Sequence, residues 1–345
     1  MHRRLAALAT AAILLVAFSM PGPAAATARG GGDSPGARPL VPRVVATFPT
    51  GYEFDSFAES AAIDRDGNIY ATVTIWKAET WNVGQVWKIT PDGRMRQLGP
   101  NLDVGILSGL AFDGDGNLYA GQITFDTNGV PSGVLRIDPS GRATPVVTLP
   151  SGTFPNGLAF RDGDLYVSDS WNGAIWRTHP RGHGNVNLST PWVKDPLLAV
   201  ASSTGWEGVN GIAFQGDALY AVNADTGGVV RIPVRRDGSP GKPSLVASDA
   251  ALVGADGIAF DADGGLWIAS NHGDVPAGGA IVRMSRSGQL KVVASDPGWL
   301  DYPSQPAFGT RPGDRTTLYV VNGALNSGNC NVIALDVGVR GQPLP

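Results

Sequence analysis

One pattern recurs along this chain about every 49 residues, and it constrains the fold more than any other feature. In its clearest copies the pattern is a polar residue followed by Gly, Leu or Ile, Ala and Phe, then a turn and a second apolar run. The six copies begin 49, 48, 54, 46 and 48 residues apart, at Glu59, Ser108, Asn156, Asn210, Asp256 and Ser304. Repeats of this period form radial arrays of four-stranded sheets. We therefore predict an all-β fold, a six-bladed β-propeller of four-stranded antiparallel blades.

Each copy carries the signals of a β-hairpin followed by further strands. Asp-Gly turns, as in Asp113-Gly-Asp-Gly-Asn117, suit a tight connection between two strands. A third strand follows in segments such as residues 85–89, and a fourth in segments such as residues 290–295. The Asp-Gly segments place glycine at position four and lack a closing glutamate, so they are hairpin turns and not EF-hand calcium loops.

The sixth copy runs out after its third strand, at residues 331–336. Residues 43–48, near the other end of the chain, resemble the fourth strand of the fifth copy. We predict that this N-terminal strand completes the last blade and closes the ring, which removes two sheet edges that invite association. A ring closed by its own ends needs no partner, so we expect a monomer.

Residues 1–28 have the composition of a secretory signal peptide. His2, Arg3 and Arg4 precede an almost wholly apolar run at residues 5–18, which is too short for a transmembrane helix. Residues 29–42 are rich in Gly, Pro, Ala and Ser and predict a flexible leader. We expect residues 43–345 to form the propeller, secreted and without contact to a membrane.

The net charge, the single cysteine and the lack of certain catalytic motifs exclude several classes of function. Loss of the signal peptide would remove two arginines and change the formal net charge from −4 to −6, which argues against nucleic acid as a partner. Cys330 is the only cysteine, so no disulfide forms within the chain. No Gly-x-Ser-x-Gly nucleophile elbow occurs on a predicted strand, since the one such sequence, Gly32-Asp-Ser-Pro-Gly36, lies in the Gly/Pro-rich segment at residues 29–42, and no His-Glu-x-x-His zinc motif occurs. These absences exclude serine hydrolases of the α/β type and zincins.

The first residue of every copy carries a side-chain oxygen. The innermost strands of a propeller line its central channel, so these six residues form a ring at one end of the channel. Ca²⁺ takes carboxylate and amide oxygens as ligands, and Glu59, Asn210 and Asp256 therefore form a candidate metal site with a charge of −2. A structural role is the alternative, because polar residues at strand starts also satisfy loop amides or hold channel waters.

The segments Asn156-Gly-Leu-Ala-Phe, Asn210-Gly-Ile-Ala-Phe and Asp256-Gly-Ile-Ala-Phe-Asp-Ala-Asp-Gly-Gly-Leu-Trp-Ile-Ala, with Glu59 in the first blade, resemble those of one family. This is the SMP-30/gluconolactonase/LRE-like (senescence marker protein) group of six-bladed propellers, and the resemblance extends over nearly everything after the leader. It implies one divalent metal, commonly calcium, on Glu59, Asn210 and Asp256. It also implies that Asn156 contacts the substrate or a metal-bound water, and that the reaction is hydrolysis of a lactone or related ester. The repeats are also similar to NHL repeats.

The resemblance suggests how hydrolysis would proceed. The metal would polarise the lactone carbonyl, and Asp256 or Asp169 would activate water as general base. The predicted substrate contacts are Asn156, Ser108, Asn223 and His272. The residues that correspond to Asp169 in other blades are polar as well, so a second ring lining the channel mouth is the other interpretation of this position; they are Gln122, Asn223, Ser270 and Asn322.

Other functions stay open at this point. A non-catalytic NHL-type propeller would bind a ligand or protein on its channel face, and related propellers also perform lyase or condensation chemistry. The chain departs from the family pattern in a loop at residues 192–206, within the 54-residue step, and in lacking an identifiable substrate arginine. Tryptophans in connections between strands either wall an apolar pocket or pack between blades; they are Trp76, Trp81, Trp171 and Trp206.

Overall fold

Each copy of the repeat forms one antiparallel blade, and six blades surround a channel. The computed structural model describes residues 40–49, 56–75, 82–102, 105–126, 129–180, 184–203, 205–271, 279–325 and 330–344. Within these residues the chain is almost entirely β, with short 3-10 helices at Pro196–Leu198 and Ala250–Leu252. The predicted all-β fold and six-bladed architecture are confirmed.

The strands follow the chain from the innermost to the outermost position of each blade. Blades 1 to 3 contain β2 (Ser56–Ile63), β3 (Ile69–Ile75), β4 (Val83–Ile89) and β5 (Met95–Gln97); β6 (Ile106–Phe112), β7 (Leu118–Ile123), β8 (Gly133–Ile137) and β9 (Ala143–Thr148); and β10 (Pro155–Arg161), β11 (Asp164–Asp169), β12 (Ala174–Thr178) and β14 (Val193–Lys194). Blades 4 to 6 contain β15 (Val209–Gln215), β16 (Ala218–Asn223), β17 (Gly228–Pro233) and β18 (Ser244–Ser248); β19 (Ala255–Phe260), β20 (Leu266–Ser270), β21 (Ala280–Met284) and β22 (Leu290–Ala294); and β23 (Pro303–Phe308), β24 (Thr317–Asn322), β25 (Asn331–Asp336) and β1 (Arg43–Thr47). The short strand β13 (Val186–Asn187) adds a parallel fifth member outside β9.

The N-terminal strand closes the ring as predicted. β1 pairs antiparallel with β25, with Arg43 opposite Ala334 and Thr47 opposite Asn331. Phe48 continues the pairing through its backbone N–H, which donates to the Cys330 carbonyl at 2.9 Å. The last blade therefore takes three strands from one end of the chain and one from the other.

Aromatic contacts between neighbouring blades explain two of the repeated residues. In five of the six blades the aromatic residue near the start of the second strand packs against the Phe at the end of the first strand of the next blade. Tyr119 and Phe160 have ring centroids 4.8 Å apart, and Tyr166 and Phe214 are 4.9 Å apart. Such pairs contribute about 0.5–1.5 kcal/mol beyond their buried area. The pattern thus encodes the spacing between blades.

The glycine that follows the ring residue is explained by a close approach between blades. A Cβ on Gly157 would lie 2.7 Å from the backbone oxygen of Asn210, and one on Gly211 would lie 2.2 Å from that of Asp256. Contacts this short do not occur between real atoms of these types, so any larger residue would push the inner strands apart. The close approach of the inner strands thus requires glycine at these two positions.

Apolar clusters lie between adjacent blades. Ile63 and Trp87 of blade 1, for example, pack with Val321 and Val332 of blade 6. Cys330 belongs to the same cluster, and burial raises the pKa of its thiol, as expected for a cysteine that serves packing. Within the described part of the chain, no helix is long and apolar enough to cross a membrane.

The predicted signal peptide and most of the predicted leader lie outside the described residues and stay predictions. Leu40, which belongs to the predicted leader, packs against the apolar cluster between blades 5 and 6.

Candidate functional site

Every ring residue lies at a β-bulge in the innermost strand of its blade. The register between β10 and β11 shifts between Pro155 and Leu158, on either side of Asn156. The same irregularity flanks the ring position in the other five blades. A bulge sets two residues opposite one and changes the direction of a side chain, and bulges are frequent next to functional sites.

The two serines of the ring are engaged in contacts between blades. Ser108 Oγ donates to the Pro155 carbonyl at 2.8 Å, and Ser304 Oγ donates to the Ala58 carbonyl at 3.1 Å. Both serines are fully enclosed. These contacts favour the structural interpretation of the serines, and the substrate contact predicted for Ser108 stays a prediction.

A glutamate joins the two asparagines of the ring. Glu207 Oε2 accepts hydrogen bonds from Asn210 Nδ2 at 3.0 Å and from Asn156 Nδ2 at 3.3 Å. Asn156 Nδ2 also lies 3.3 Å from Ser170 Oγ, which itself donates to the Val209 carbonyl at 2.7 Å. The NH₂ groups of both asparagines are therefore engaged with protein.

Asp256 and Glu59 supply the other predicted ligands. Asp256 is buried and accepts a hydrogen bond at Oδ2 from Asn271 Nδ2, at 2.9 Å. Burial raises the pKa of Asp256 well above its usual value and the charges of Glu59 and Glu207 add to the rise, while side-chain hydrogen bonds from Asn210 and Asn271 oppose it. Burial and the charge of Glu207 raise the pKa of Glu59 to about 8, and burial raises that of Glu207 to about 7. These three carboxyl groups therefore lie close enough to repel one another.

The oxygens of this cluster are of the types that bind a hard cation, although the described residues contain no group of three or more His, Cys, Asp or Glu side chains placed to hold a metal ion. None of the described residues donates a hydrogen bond to the Glu59 carboxylate, to Asn210 Oδ1 or to Asn156 Oδ1. The two asparagine oxygens are not fully enclosed by protein. No described Lys or Arg is among the charges that shift these carboxyl groups. Unpaired carboxylate and amide oxygens without a compensating cation are the donor set that Ca²⁺ prefers.

Asp169 and Asn223 have their polar atoms occupied. The Asp169 carboxylate is closed to solvent and accepts hydrogen bonds from Phe154 N at 3.1 Å and Trp176 Nε1 at 3.1 Å, and from Asn172. Asn223 Nδ2 donates to the carbonyls of residues 197 and 199, and its Oδ1 accepts from the N–H groups of residues 225 and 226. These contacts favour a structural role, and the predicted catalytic and substrate roles are untested. His272 lies outside the described residues.

The loop at residues 192–206 leads the chain to Glu207. Asn223 holds the 3-10 helix at Pro196–Leu198, and the Asp225 carboxylate accepts the N–H groups of Ala201 and Ser202, both at 2.7 Å. Trp192 anchors the start of the loop through a hydrogen bond from Nε1 to the Gly238 carbonyl at 2.9 Å. This inserted loop is therefore directly followed by a carboxylate that contacts two residues of the ring.

An aromatic shelf lies beside the asparagines, formed by Phe125, Phe154, Trp171 and Trp206. Trp171 contacts the other three rings, with centroids 5.8, 5.1 and 5.5 Å away. Trp206 directly precedes Glu207 in the chain and is 47% exposed. An exposed tryptophan next to a polar cluster offers an apolar surface to a ligand.

Sequence reasoning missed Glu207, Asn271 and Ser170. None of them lies at a ring position, and only the folded arrangement brings their side chains to Asn156, Asn210 and Asp256. The one sequence signal that could have indicated Glu207 is its place at the end of an inserted loop, three residues before a ring asparagine.

Comparisons with known proteins relate part of this chain to one family. A family model described as "SMP-30/Gluconolactonase/LRE-like region" matches residues 199–323, a span that contains Glu207, Asn210 and Asp256. A curated protein of Phoma sp. named "Putative hetero-Diels-Alderase" is 26% identical over 332 residues, covering 83% of this chain and 88% of that protein.

Solved structures share the fold. A structure described as a "putative gluconolactonase" superposes with a TM-score of 0.60 at 16% identity, over 88% of this chain and 94% of the other. A luciferin-regenerating enzyme gives 0.55 at 14% identity, over 88% and 98% of the two chains. The chain is thus a six-bladed propeller that contains an SMP-30/gluconolactonase/LRE-like region, as its repeat residues predicted.

Proposed function

We propose that this protein is a secreted, divalent-metal-dependent hydrolase of a lactone or related ester, with Ca²⁺ as the metal. The observation that carries the proposal is the set of unpaired oxygens on Glu59 and Asn210, beside the buried carboxyl of Asp256, with no described Lys or Arg among the charges acting on it. The match to the SMP-30/gluconolactonase/LRE-like family model supports the same activity.

The residues of the ring would have different roles in the reaction. Glu59, Asn210 Oδ1 and Asp256 would hold the cation, which when bound supplies Lewis-acid polarisation of the substrate carbonyl. Asp256 Oδ1, the oxygen that does not bind Asn271, would accept a proton from the water that adds to the carbonyl carbon. The bond between the carbonyl carbon and the ring oxygen of the lactone then breaks, the leaving oxygen takes up the proton, and a hydroxy acid results. Asp169 is not assigned as the base, because its carboxylate is enclosed and occupied.

Asn156 would restrict the substrate. Its Nδ2 is engaged by Glu207 and Ser170, so it offers only its carbonyl oxygen to the channel. A carbonyl oxygen accepts and cannot donate a hydrogen bond. The substrate group that faces Asn156 would therefore be a donor such as a hydroxyl.

Hydrolysis of a small lactone panel tests the proposal. Acid release by the purified mature protein is followed in a pH-stat with calcium, with chelator, and for Asp256→Ala. Asp217→Ala is the matched control, because Asp217 lies exposed at the opposite end of blade 4 and pairs only with Arg231. We expect turnover that the chelator abolishes and that Asp256→Ala loses while Asp217→Ala retains it. Tight calcium binding without turnover of any lactone would instead favour the non-catalytic binding platform.

A second candidate is bond-forming chemistry on an apolar substrate at the same site. It is favoured by the similarity to the Phoma protein named as a hetero-Diels-Alderase and by the aromatic shelf with its exposed Trp206. Hydrolysis incorporates an oxygen atom from water into the product, whereas a cycloaddition does not. Reaction in ¹⁸O-labelled water followed by mass spectrometry therefore separates the two candidates.

A further inference from the structure

An asparagine side chain has two nearly isosteric ends with opposite hydrogen-bonding character. Its carbonyl oxygen attracts a cation or a donor, whereas its NH₂ group repels the first and competes with the second. Asn156 and Asn210 can serve the channel only if something fixes which end faces it. The bulges that aim these residues inward do not by themselves decide between the two ends.

Glu207 makes that choice in both residues, together with Ser170 Oγ for Asn156 and the Asp256 carboxyl group for Asn210. Glu207 Oε2 accepts a hydrogen bond from each asparagine, so the atoms that face it are the NH₂ groups. Glu207 Oε2 lies 3.0 Å from Asn210 Nδ2 and 3.3 Å from Asn156 Nδ2. One oxygen thus engages the amides of two neighbouring blades.

We infer that Glu207 is a positioning residue that holds the Asn156 and Asn210 amides with both carbonyl oxygens turned to the channel. The inference rests on the proposed cation site and adds to it a residue that binds neither cation nor substrate. Partners that orient metal ligands typically change affinity about 10- to 100-fold when removed.

The backbone around Glu207 supports this role. The Gly208 N–H donates to the Ser170 carbonyl at 2.8 Å, and the Gly208 carbonyl accepts from Ala224 N at 2.9 Å. The segment is therefore tied to blade 3 and blade 4 at once, so the Glu207 side chain starts from a fixed point between the two asparagines.

Calcium affinity measured by titration calorimetry tests the inference. Glu207→Gln retains an acceptor oxygen that both NH₂ groups can use, whereas Glu207→Ala retains none. We expect Glu207→Gln to bind calcium within about threefold of the unmodified protein and Glu207→Ala to bind about 10- to 100-fold more weakly. Asp217→Ala removes a carboxylate from the same blade and should leave affinity unchanged. Equal losses in Glu207→Gln and Glu207→Ala would overturn the inference, because the charge and not the hydrogen bonds would then matter.

A second measurement needs no cation. The side-chain amide ¹⁵N–¹H resonances of Asn156 and Asn210, assigned through Asn156→Asp and Asn210→Asp, report their hydrogen bonds directly. Both sets should move in Glu207→Ala and stay close to their original positions in Asp217→Ala. Unmoved resonances in Glu207→Ala would overturn the positioning role. If the unmodified protein bound no calcium, the proposed hydrolase would fail, and these resonances would still decide the role of Glu207.

Discussion

Gly211 and Asp256 lie in adjacent blades, and the Cβ that Gly211 lacks would come within 2.2 Å of the Asp256 backbone oxygen. The glycine that follows Asn210 therefore sets the distance between two of the proposed cation ligands. The tight centre of the propeller links stability to the geometry of the site.

Gly211→Ala should destabilise the protein by about 1–3 kcal/mol, because the added methyl forces two inner strands apart. Gly114→Ala is the control, since a Cβ at that exposed turn would meet nothing within 4 Å. It should stay within about 0.5 kcal/mol of the unmodified protein. Urea unfolding of both variants measures the difference, and equal stabilities would contradict the close approach.

Without calcium, repulsion among the clustered carboxyl groups should lower the stability of the folded protein. In chelator, Asp256→Asn should unfold at a temperature equal to or above that of the unmodified protein, because it removes one of three mutually repelling groups. Calcium at about 100 times its Kd should stabilise the unmodified protein by about 2.7 kcal/mol and the variant much less. Thermal unfolding with and without calcium measures both effects. A calcium response in Asp256→Asn equal to that of the unmodified protein would remove Asp256 from the proposed ligand set.

Asp169→Asn should reduce stability and leave turnover per folded molecule nearly unchanged. The new NH₂ group would face donors such as Trp176 Nε1, and the unsatisfied groups should cost about 1–3 kcal/mol. Unfolding curves and active-site-normalised rates separate the two effects. A folded Asp169→Asn protein without activity would instead restore Asp169 as the catalytic base.

Trp206→Ala should affect substrates according to their apolar surface. For lactones with an aromatic or long alkyl substituent we expect KM to rise about tenfold, equivalent to about 1.4 kcal/mol of lost contact, while short-chain lactones change little. Leu245→Ala, on the exposed face of β18, controls for loss of an apolar surface residue far from the ring. Equal effects on short and bulky lactones would show that the aromatic shelf does not contact substrate.

Structural features that recur in several copies of the repeat could be predicted from the sequence. The hairpin turns, the ring positions and the closing strand at residues 43–47 could be predicted because each has counterparts in other copies. Glu207 could not, because the residues three places before the ring position have nothing in common across the copies; they are Ser56, Gly105, Thr153, Glu207, Val253 and Asp301. The bulges also escaped prediction, because they depend on how β10 or β15 pairs with its neighbour and not on a residue type.

The location of β1 has a consequence for how the molecule comes into being. Among the described strands β1 is synthesised first, but its partner β25 ends at Asp336, so β1 stays unpaired until nearly the whole chain is available. Among the described strands this is the pairing of longest range, and long-range pairing is slow. A chain that stops short of residue 331 would retain a strand with no blade to complete. Such a fragment would expose unpaired β-strand edges, which invite association with other chains. Resistance to aggregation in this protein therefore depends on the pairing of β1 with β25.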